Sequence, residues 1–472
     1  MISESKSALR KYFALVLLCL ASFIAVVDTT IVSIALPSMR RELGFTGADA
    51  GWILNGYALT FGGLVLLLGR AGDLYGRRRL FVAGLALFAA ASFVGGFAWE
   101  PWILVCARFI QGVGAAALMP ASLSLLTAIF AEGEERNRAI GIYGAMAALG
   151  FVVGMVGGGV ITEFLGWRWV LFVNVPVALA ALVPAPAVLP ESRHERAPRS
   201  LDLAGALTAT SGLGLLIYAI SEVPENGWTS IATLGFGTLG ALFVACFVVA
   251  ERRSSAPLVP LGVLKEPAVV VPNAAIFLQS MVGIAWLYVL TLYLQEVLGH
   301  SALTAGLLFI PMTLASVVAA PLAGRLATRL GMRTTASLGL GLVAVGLLLM
   351  TSMSVGGGLA FVLLGMVIGE GGFMLSNVPL TIVGSGSAGE DERGLAAGLL
   401  NTSMQLGNAW GLGVVATVVA AASAALGGEA GGSEALVSGL RWGLYACVGF
   451  AVLALPVVLM GLPRSVASTD RE

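Results

Sequence analysis

Long apolar runs alternate with short charged stretches from one end of the chain to the other. A membrane-spanning helix needs about 20 mostly apolar residues. By that measure the pattern predicts about fourteen spans, near 12–36, 50–69, 80–98, 102–126, 138–162, 168–189, 202–221, 231–250, 268–294, 303–325, 334–353, 357–383, 394–424 and 438–461. Met1–Lys11 carries Lys6, Arg10 and Lys11 and leads into an apolar run too long for a signal-peptide core, with no small-residue cleavage site. It is therefore expected to remain as the first span.

The charged punctuation between spans is patterned. Gly69-Arg70-Ala71-Gly72-Asp73-Leu74-Tyr75-Gly76-Arg77-Arg78-Arg79 separates the second run from the third. It is too charged for lipid and too short to fold alone, which suits a loop that pairs with helix ends at a membrane surface. A degenerate copy follows: Gly69, Arg70, Gly76 and Arg78 correspond to Gly324, Arg325, Gly331 and Arg333, at a constant offset of 255 residues. Such a repeat between hydrophobic helices predicts two related halves. Two halves of six spans would set the copies near 190 residues apart, at about 30 residues per span and connection. The larger offset leaves room for one more hairpin, expected at 203–250 with Glu222–Gly227 as its turn. The expected organisation is a six-helix bundle in 1–190, linkers and an inserted hairpin in 191–265, and a second six-helix bundle in 266–472.

Basic residues predict the orientation. With a cytoplasmic N-terminus, every Lys and Arg except Arg40, Arg41, Arg168, Arg441 and the intramembrane Arg108 falls on the cytoplasmic side. That skew fits the positive-inside rule, calls for an even number of crossings and puts both termini in the cytoplasm.

Composition agrees: 58% of residues are apolar and 11% charged, against about 45–50% and about 25% in soluble domains. Zero net charge offers nothing to a nucleic acid. Cys19, Cys106, Cys246 and Cys447 stand singly in apolar runs, as small packing residues do. His194 and His300 have no partner at ligand spacing, so no metal is expected. No Gly-x-x-x-x-Gly-Lys loop is present, which argues against ATP as the energy source and leaves an ion gradient, with no cofactor. No clustered nucleophile and base supports an enzyme. The expected partners are a small lipophilic substrate, protons and membrane lipid, for a protein that acts as a monomer.

Charge inside a span is costly and marks function by default. Asp28, Arg108 and Glu370 qualify. Asp28 and Arg108 each lie about 9–12 Å below the outer surface when counted from their span ends, so they can meet at one depth. They form either a protonation site or a permanent ion pair between helices. An ionised Glu370 would have no basic partner at its depth, which suits a proton carrier or an anchor for a cationic substrate; the alternative is a neutral acid bonded to a carbonyl. Glu370, Met374, Asn377 and Thr381 form a helical stripe, as do Asn401, Gln405 and Asn408, and Gln279, Trp286 and Tyr293. Polar groups cannot face lipid unsatisfied, so these stripes turn inward, to a wet cavity or a dry helix contact. Trp52, Asn55, Gln111 and Met281 are further pocket candidates, since aromatic and apolar walls with a few amides accept many lipophilic compounds.

The stretch Ala25–Pro37, around Asp28, resembles the first-helix signature of the fourteen-helix drug/proton antiporters, the EmrB/QacA type of the major facilitator superfamily. The arginine loop is similar to the superfamily's motif A and Arg108–Gly114 to its motif B. Gly166-Trp167-Arg168-Trp169 with Phe172–Pro176 resembles the entry to helix six, and the likeness continues through Leu292–Gln295 and Gly394–Gly407. The resemblance implies an all-α integral membrane protein of the major facilitator fold, two six-helix bundles plus an inserted helix pair. It implies proton-coupled export of lipophilic drugs, cationic ones among them, across the bacterial cytoplasmic membrane; a lipid carrier of the same fold and a transport-inactive sensor are the rival readings. Asp28, Arg108 and Glu370 would couple protons. Gly69, Arg70, Asp73, Gly76, Arg77 and Arg78 would form a conformational latch, with Asp73 as the acidic partner. Gly150, Gly154, Gly158 and Gly159 match the antiporter motif of helix five. Two positions depart from the family: Met155 stands where that motif carries proline, and Leu74 where a second basic residue is common in motif A.

Overall fold

The computed structural model describes every residue except 1, 46–48, 131–133, 192–201, 255–256, 258–265, 387–392, 428–431 and 463–472. His194 and part of the linker after Glu191 therefore lie outside the described residues. Among the described residues, fourteen helical stretches are long and apolar enough to cross a membrane. They are α1 (Arg10–Leu43), α2 (Asp49–Tyr75), α3 (Arg77–Gly96), α4 (Pro101–Ile129), α5 (Arg138–Phe164), α6 (Arg168–Val188), α7 (Leu203–Ile220), α8 (Ile231–Arg253), α9 (Pro267–Val297), α10 (Ala302–Leu330), α11 (Met332–Met350), α12 (Leu359–Gly384), α13 (Gly398–Ala425) and α14 (Gly432–Gly461).

The repeated glycine loops are the same local structure twice. Gly76 ends α2 at φ 113°, and Gly331 ends α10 at φ 87°. A side chain resists that left-handed region, so glycine lets one helix stop and the next begin within a residue. The other end of the molecule, where α1 finishes, is called here the Arg40 end, and the loop end the Gly76 end.

Without a hydrophobic force between helices in lipid, close approach of small residues holds spans together. In the first half α3 and α4 cross where a Cβ added to Gly84 would lie 2.8 Å from the Gly114 carbonyl oxygen. The second half repeats this between α11 and α12, where a Cβ on Gly346 would lie 2.5 Å from the Gly369 nitrogen. Pro176, Pro184 and Pro186 break α6 into short helical pieces, one of which begins at Asn174. α9 ends in a wide π turn, Tyr293–Val297.

The two halves meet along two seams, α2 against α13 and α5 against α10. The hairpin α7–α8 lies beside the first seam: α7 packs on both α2 and α13, whereas α8 packs chiefly on α7. Gly63 and Gly214 admit it, since added Cβ atoms there would strike Thr210 and Leu59, respectively. α7 starts on an Asp202 cap, whose side chain accepts from the Gly205 amide at 2.7 Å.

Candidate transport site

Counting depth along α1 and α4 predicts that Asp28 and Arg108 meet, and they do. Both are 0% exposed, and an Arg108 Nη1 donor binds Asp28 Oδ2. Gln111, one turn along α4, accepts from Arg108 at 2.8 Å through Oε1 and donates from Nε2 to Asp28 Oδ1 at 3.1 Å. Gln111 was expected to line a substrate pocket; instead it is fully buried and belongs to this charge network. Its Nε2 also donates to Ser92 Oγ of α3 at 2.7 Å. Asn174, where α6 restarts after its break, donates to Asp28 Oδ1 at 2.6 Å. Arg108 further donates from Nε to the Ile53 carbonyl of α2 at 2.8 Å, and its guanidinium lies 4.6 Å from the Tyr57 ring centroid. A buried charge demands this many partners. The network thus joins α1, α2, α3, α4 and α6 at one depth.

Sequence reasoning missed Ser92, Tyr57 and Asn174. For Asn174 a signal existed: an amide directly at a proline-marked helix break. Ser92 and Tyr57 carried none.

Glu370 is 6% exposed on α12. Among the described residues no ion pair involves it. Met374 and Asn377 below it are partly buried, as are Asn401, Gln405 and Asn408 on α13. Asn401 keeps a buried Oδ1 without a hydrogen-bond partner. Asn408 Oδ1 would lie 3.1 Å from a Cβ on Gly283 of α9, whereas Gln405 sits against Gly62 of α2.

The α9 stripe turns to helix contacts. Gln279 is 0% exposed and donates to the Phe373 carbonyl at 2.8 Å. Trp286 is buried and stacks on Phe373, with centroids 6.5 Å apart. Tyr293, also 0% exposed, donates its hydroxyl to the carbonyls of Ser354 and Gly357 at 3.1 and 3.0 Å, tying α9 to the glycine turn after α11. Met281 is buried, and its backbone lies against Gly411 of α13. These four residues are buried in contacts with neighbouring segments. Trp52 and Asn55 lie at the α2–α13 seam: Trp52 stacks on Phe109 at 6.1 Å, and the Asn55 amide faces Gly413.

The helix-five glycines divide between two neighbours. Gly150, Gly154 and Gly158 abut α1 at Phe23, Thr30 and Ile31, while Gly159 meets Ala302 of α10. At Met155, where proline was expected, the backbone carbonyl oxygen would lie 2.7 Å from a Cβ on Gly306. This crossing sits toward the Arg40 end. There α1 and α9 are also joined, by the Arg40–Glu296 ion pair at 3.2 Å and by Gln295 Nε2 donating to the Ile34 carbonyl at 2.9 Å. The π turn carries both Gln295 and Glu296 to α1. Toward the Gly76 end, added Cβ atoms on Gly141, Gly144 and Gly324 would meet nothing within 4 Å.

In the arginine loop Asp73 pairs with Arg77 at 2.8 Å, within one helical turn. Glu191, which sequence reasoning did not assign, is the further acidic partner. It accepts from the Arg78 backbone amide at 3.2 Å and lies 3.5 and 3.8 Å from Arg78 Nε and Arg79 Nε. Gly69 lies against Pro120, and Arg70 keeps a buried Nε without a hydrogen-bond partner.

The family model for the Major Facilitator Superfamily matches residues 18–412. The chain belongs to this superfamily. The transporter is 39% identical over 464 residues to the cephamycin export protein CmcT of Amycolatopsis lactamdurans, covering 97% of this chain and 93% of that protein. It is 37% identical to the puromycin resistance protein of Streptomyces alboniger (95% and 90% covered) and 34% identical to the lincomycin resistance protein of Streptomyces lincolnensis (98% and 95%). Its fold matches a bacterial homologue of the human lysosomal transporter Spinster, solved inward-facing and unoccupied, with TM-score 0.68 at 16% identity over 96% of this chain and 97% of that one. Membership of a superfamily of transporters, with export and resistance proteins among the relatives, makes this chain one that moves solutes rather than transforming them.

Proposed function

We propose that the transporter exports lipophilic, antibiotic-like compounds from the cytoplasm in exchange for protons, by alternating access of its two halves. The observation that carries this reading is the buried charge network around Asp28 and Arg108, a costly arrangement to keep inside a membrane unless it works. Antibiotic export and resistance proteins among its relatives support the substrate class. The positive-inside pattern supports a cytoplasmic Gly76 end and cytoplasmic termini, and the bacterial exporters among the relatives support residence in a bacterial cytoplasmic membrane. The contacts gathered at the Arg40 end support a state closed to the outside, with 1–190 and 266–472 as the rocking bodies and 191–265 as their connection.

In this reading Glu370 and Asp28 take up and release protons in turn, and the partly exposed Met374, Asn377, Asn401, Gln405 and Asn408 meet substrate. Asp28 reaches water only when α4 or α6 withdraws its donors, so a change in the network and a change of access are one event. Asp73, Arg77 and Arg78, with Gly69, Arg70 and Gly76, order the loop whose position differs between states. The three residues that donate to Asp28 favour a second role, a fixed clamp between helices.

Proteoliposomes with an imposed pH gradient test the proposal. Substrate-dependent proton flux is expected, absent in Asp28→Asn and Glu370→Gln variants that still insert and purify as folded protein. Undiminished coupled flux in Asp28→Asn would leave Asp28 as the clamp alone, and lipid movement without a gradient would favour a lipid carrier.

A further inference from the structure

The inserted hairpin touches the α2–α13 seam at chemically distinctive residues. Tyr218 of α7 lies 6.1 Å from Trp52 of α2, ring to ring, and Trp52 stacks on Phe109 of α4 at an interplanar angle of 21°. Trp410 of α13 packs against the same apolar cluster, which holds Ala58, Leu59, Ile217 and Ala409. All four aromatic residues are only partly buried.

Two polar atoms there lack partners. Asn55 is 3% exposed, and its Oδ1 accepts no hydrogen bond; its Nδ2 would be 3.7 Å from a Cβ on Gly413, one turn from Trp410. The Trp410 Nε1 donor is likewise buried and unpaired. Leaving an acceptor and a donor unmet in an apolar surround is unfavourable, and native structures rarely do so without a ligand, water or ion to meet them.

We propose that Trp52, Phe109, Trp410 and Tyr218 form a binding site for flat aromatic compounds that carry a hydrogen-bond donor and an acceptor at their edge, with the inserted hairpin as one wall. Asn55 Oδ1 takes the ligand's donor, and Trp410 Nε1 gives to its acceptor. Aromatic faces give stacking without demanding one ring shape. The site adjoins the charge network through the backbone: Ile53, whose carbonyl accepts from Arg108, follows Trp52, and Phe109 follows Arg108. A ligand that shifts Trp52 or Phe109 therefore pulls on the groups that hold Arg108. This part of the inference rests on the proton-coupled reading; binding itself does not.

The test is equilibrium binding of a fluorescent bis-benzimidazole dye, flat and bearing ring N–H donors and imine acceptors, to the full-length protein in lipid nanodiscs. Tyr218→Ala is expected to weaken binding about two- to tenfold, Tyr218→Phe to restore it, and Asn55→Leu to weaken it by a similar factor. Tetrabutylammonium, a cation without rings, should not compete. Thermal unfolding of each variant separates lost binding from lost fold, and Tyr218→Phe keeps the question answerable if Tyr218→Ala does not fold. Absence of dye binding to the native protein, or equal affinity in native, Tyr218→Ala and Asn55→Leu proteins, would overturn the site. Proton-coupled flux that fails in liposomes while these affinities differ as stated would strike the transport reading and leave the site standing.

Discussion

Replacing Gly159 by alanine tests whether the α5–α10 crossing keeps the Arg40 end shut. The added Cβ would lie 2.5 Å from the Ala302 carbonyl oxygen and 2.8 Å from the Leu303 Cα. Both neighbours are backbone atoms that cannot rotate away, so the helices must part by about 0.9 Å to reach an ordinary contact of 3.4 Å. Overpacking of this kind costs about 1–3 kcal/mol. The strain falls only on the state in which α5 and α10 touch, so the balance should move toward the alternative state by about 5- to 150-fold. The reporter is an Ile34→Cys residue in a protein freed of Cys19, Cys106, Cys246 and Cys447, because Ile34 is 0% exposed and its carbonyl accepts from Gln295. A membrane-impermeant maleimide applied from the Arg40 side should label the Gly159→Ala protein faster than its parent by a factor in that range. Unchanged labelling, or faster labelling from the Gly76 side alone, would refute the assignment of this crossing as the closed gate.

Glu191 is expected to hold the arginine loop more through the Arg78 amide than through charge, because partly exposed ion pairs contribute about 0–1 kcal/mol. Trypsin cleavage at Arg77–Arg79 in liposomes should then rise modestly in Glu191→Gln and several-fold more in Glu191→Ala; equal effects would assign the hold to charge. Tyr293→Phe deletes a hydroxyl that serves two partly buried carbonyls and should lower stability by about 0.5–1.5 kcal/mol. A thermal midpoint equal to the parent's would show that those carbonyls find other donors.

The span pattern was legible because one rule, a run of apolar residues of bilayer length, governs every element. The same arithmetic of depth foretold that Asp28 and Arg108 meet. It could not separate wet from dry faces: Gln279 and Tyr293 lie on an inward stripe, but their partners are backbone carbonyls of Phe373, Ser354 and Gly357, which every sequence possesses. Glu191 escaped notice because 113 residues separate it from Arg78, and nothing local to it announces a partner. Asn174 stands in a recognisable stretch, but its contact with Asp28 depends on where the α6 break aims its amide.

Many polar tethers between helices in this molecule end on main-chain oxygens: Arg108 on Ile53, Thr60 on Phe109, Gln279 on Phe373, Gln295 on Ile34 and Arg441 on Met353. An anchor of that type is indifferent to the side chain it lands beside. The hydrogen bonds landing at positions 53, 109 and 373 therefore survive any change of side chain that the local packing accepts. A lineage confronted with new toxins can remodel the walls around its cargo without dismantling the machine that moves it.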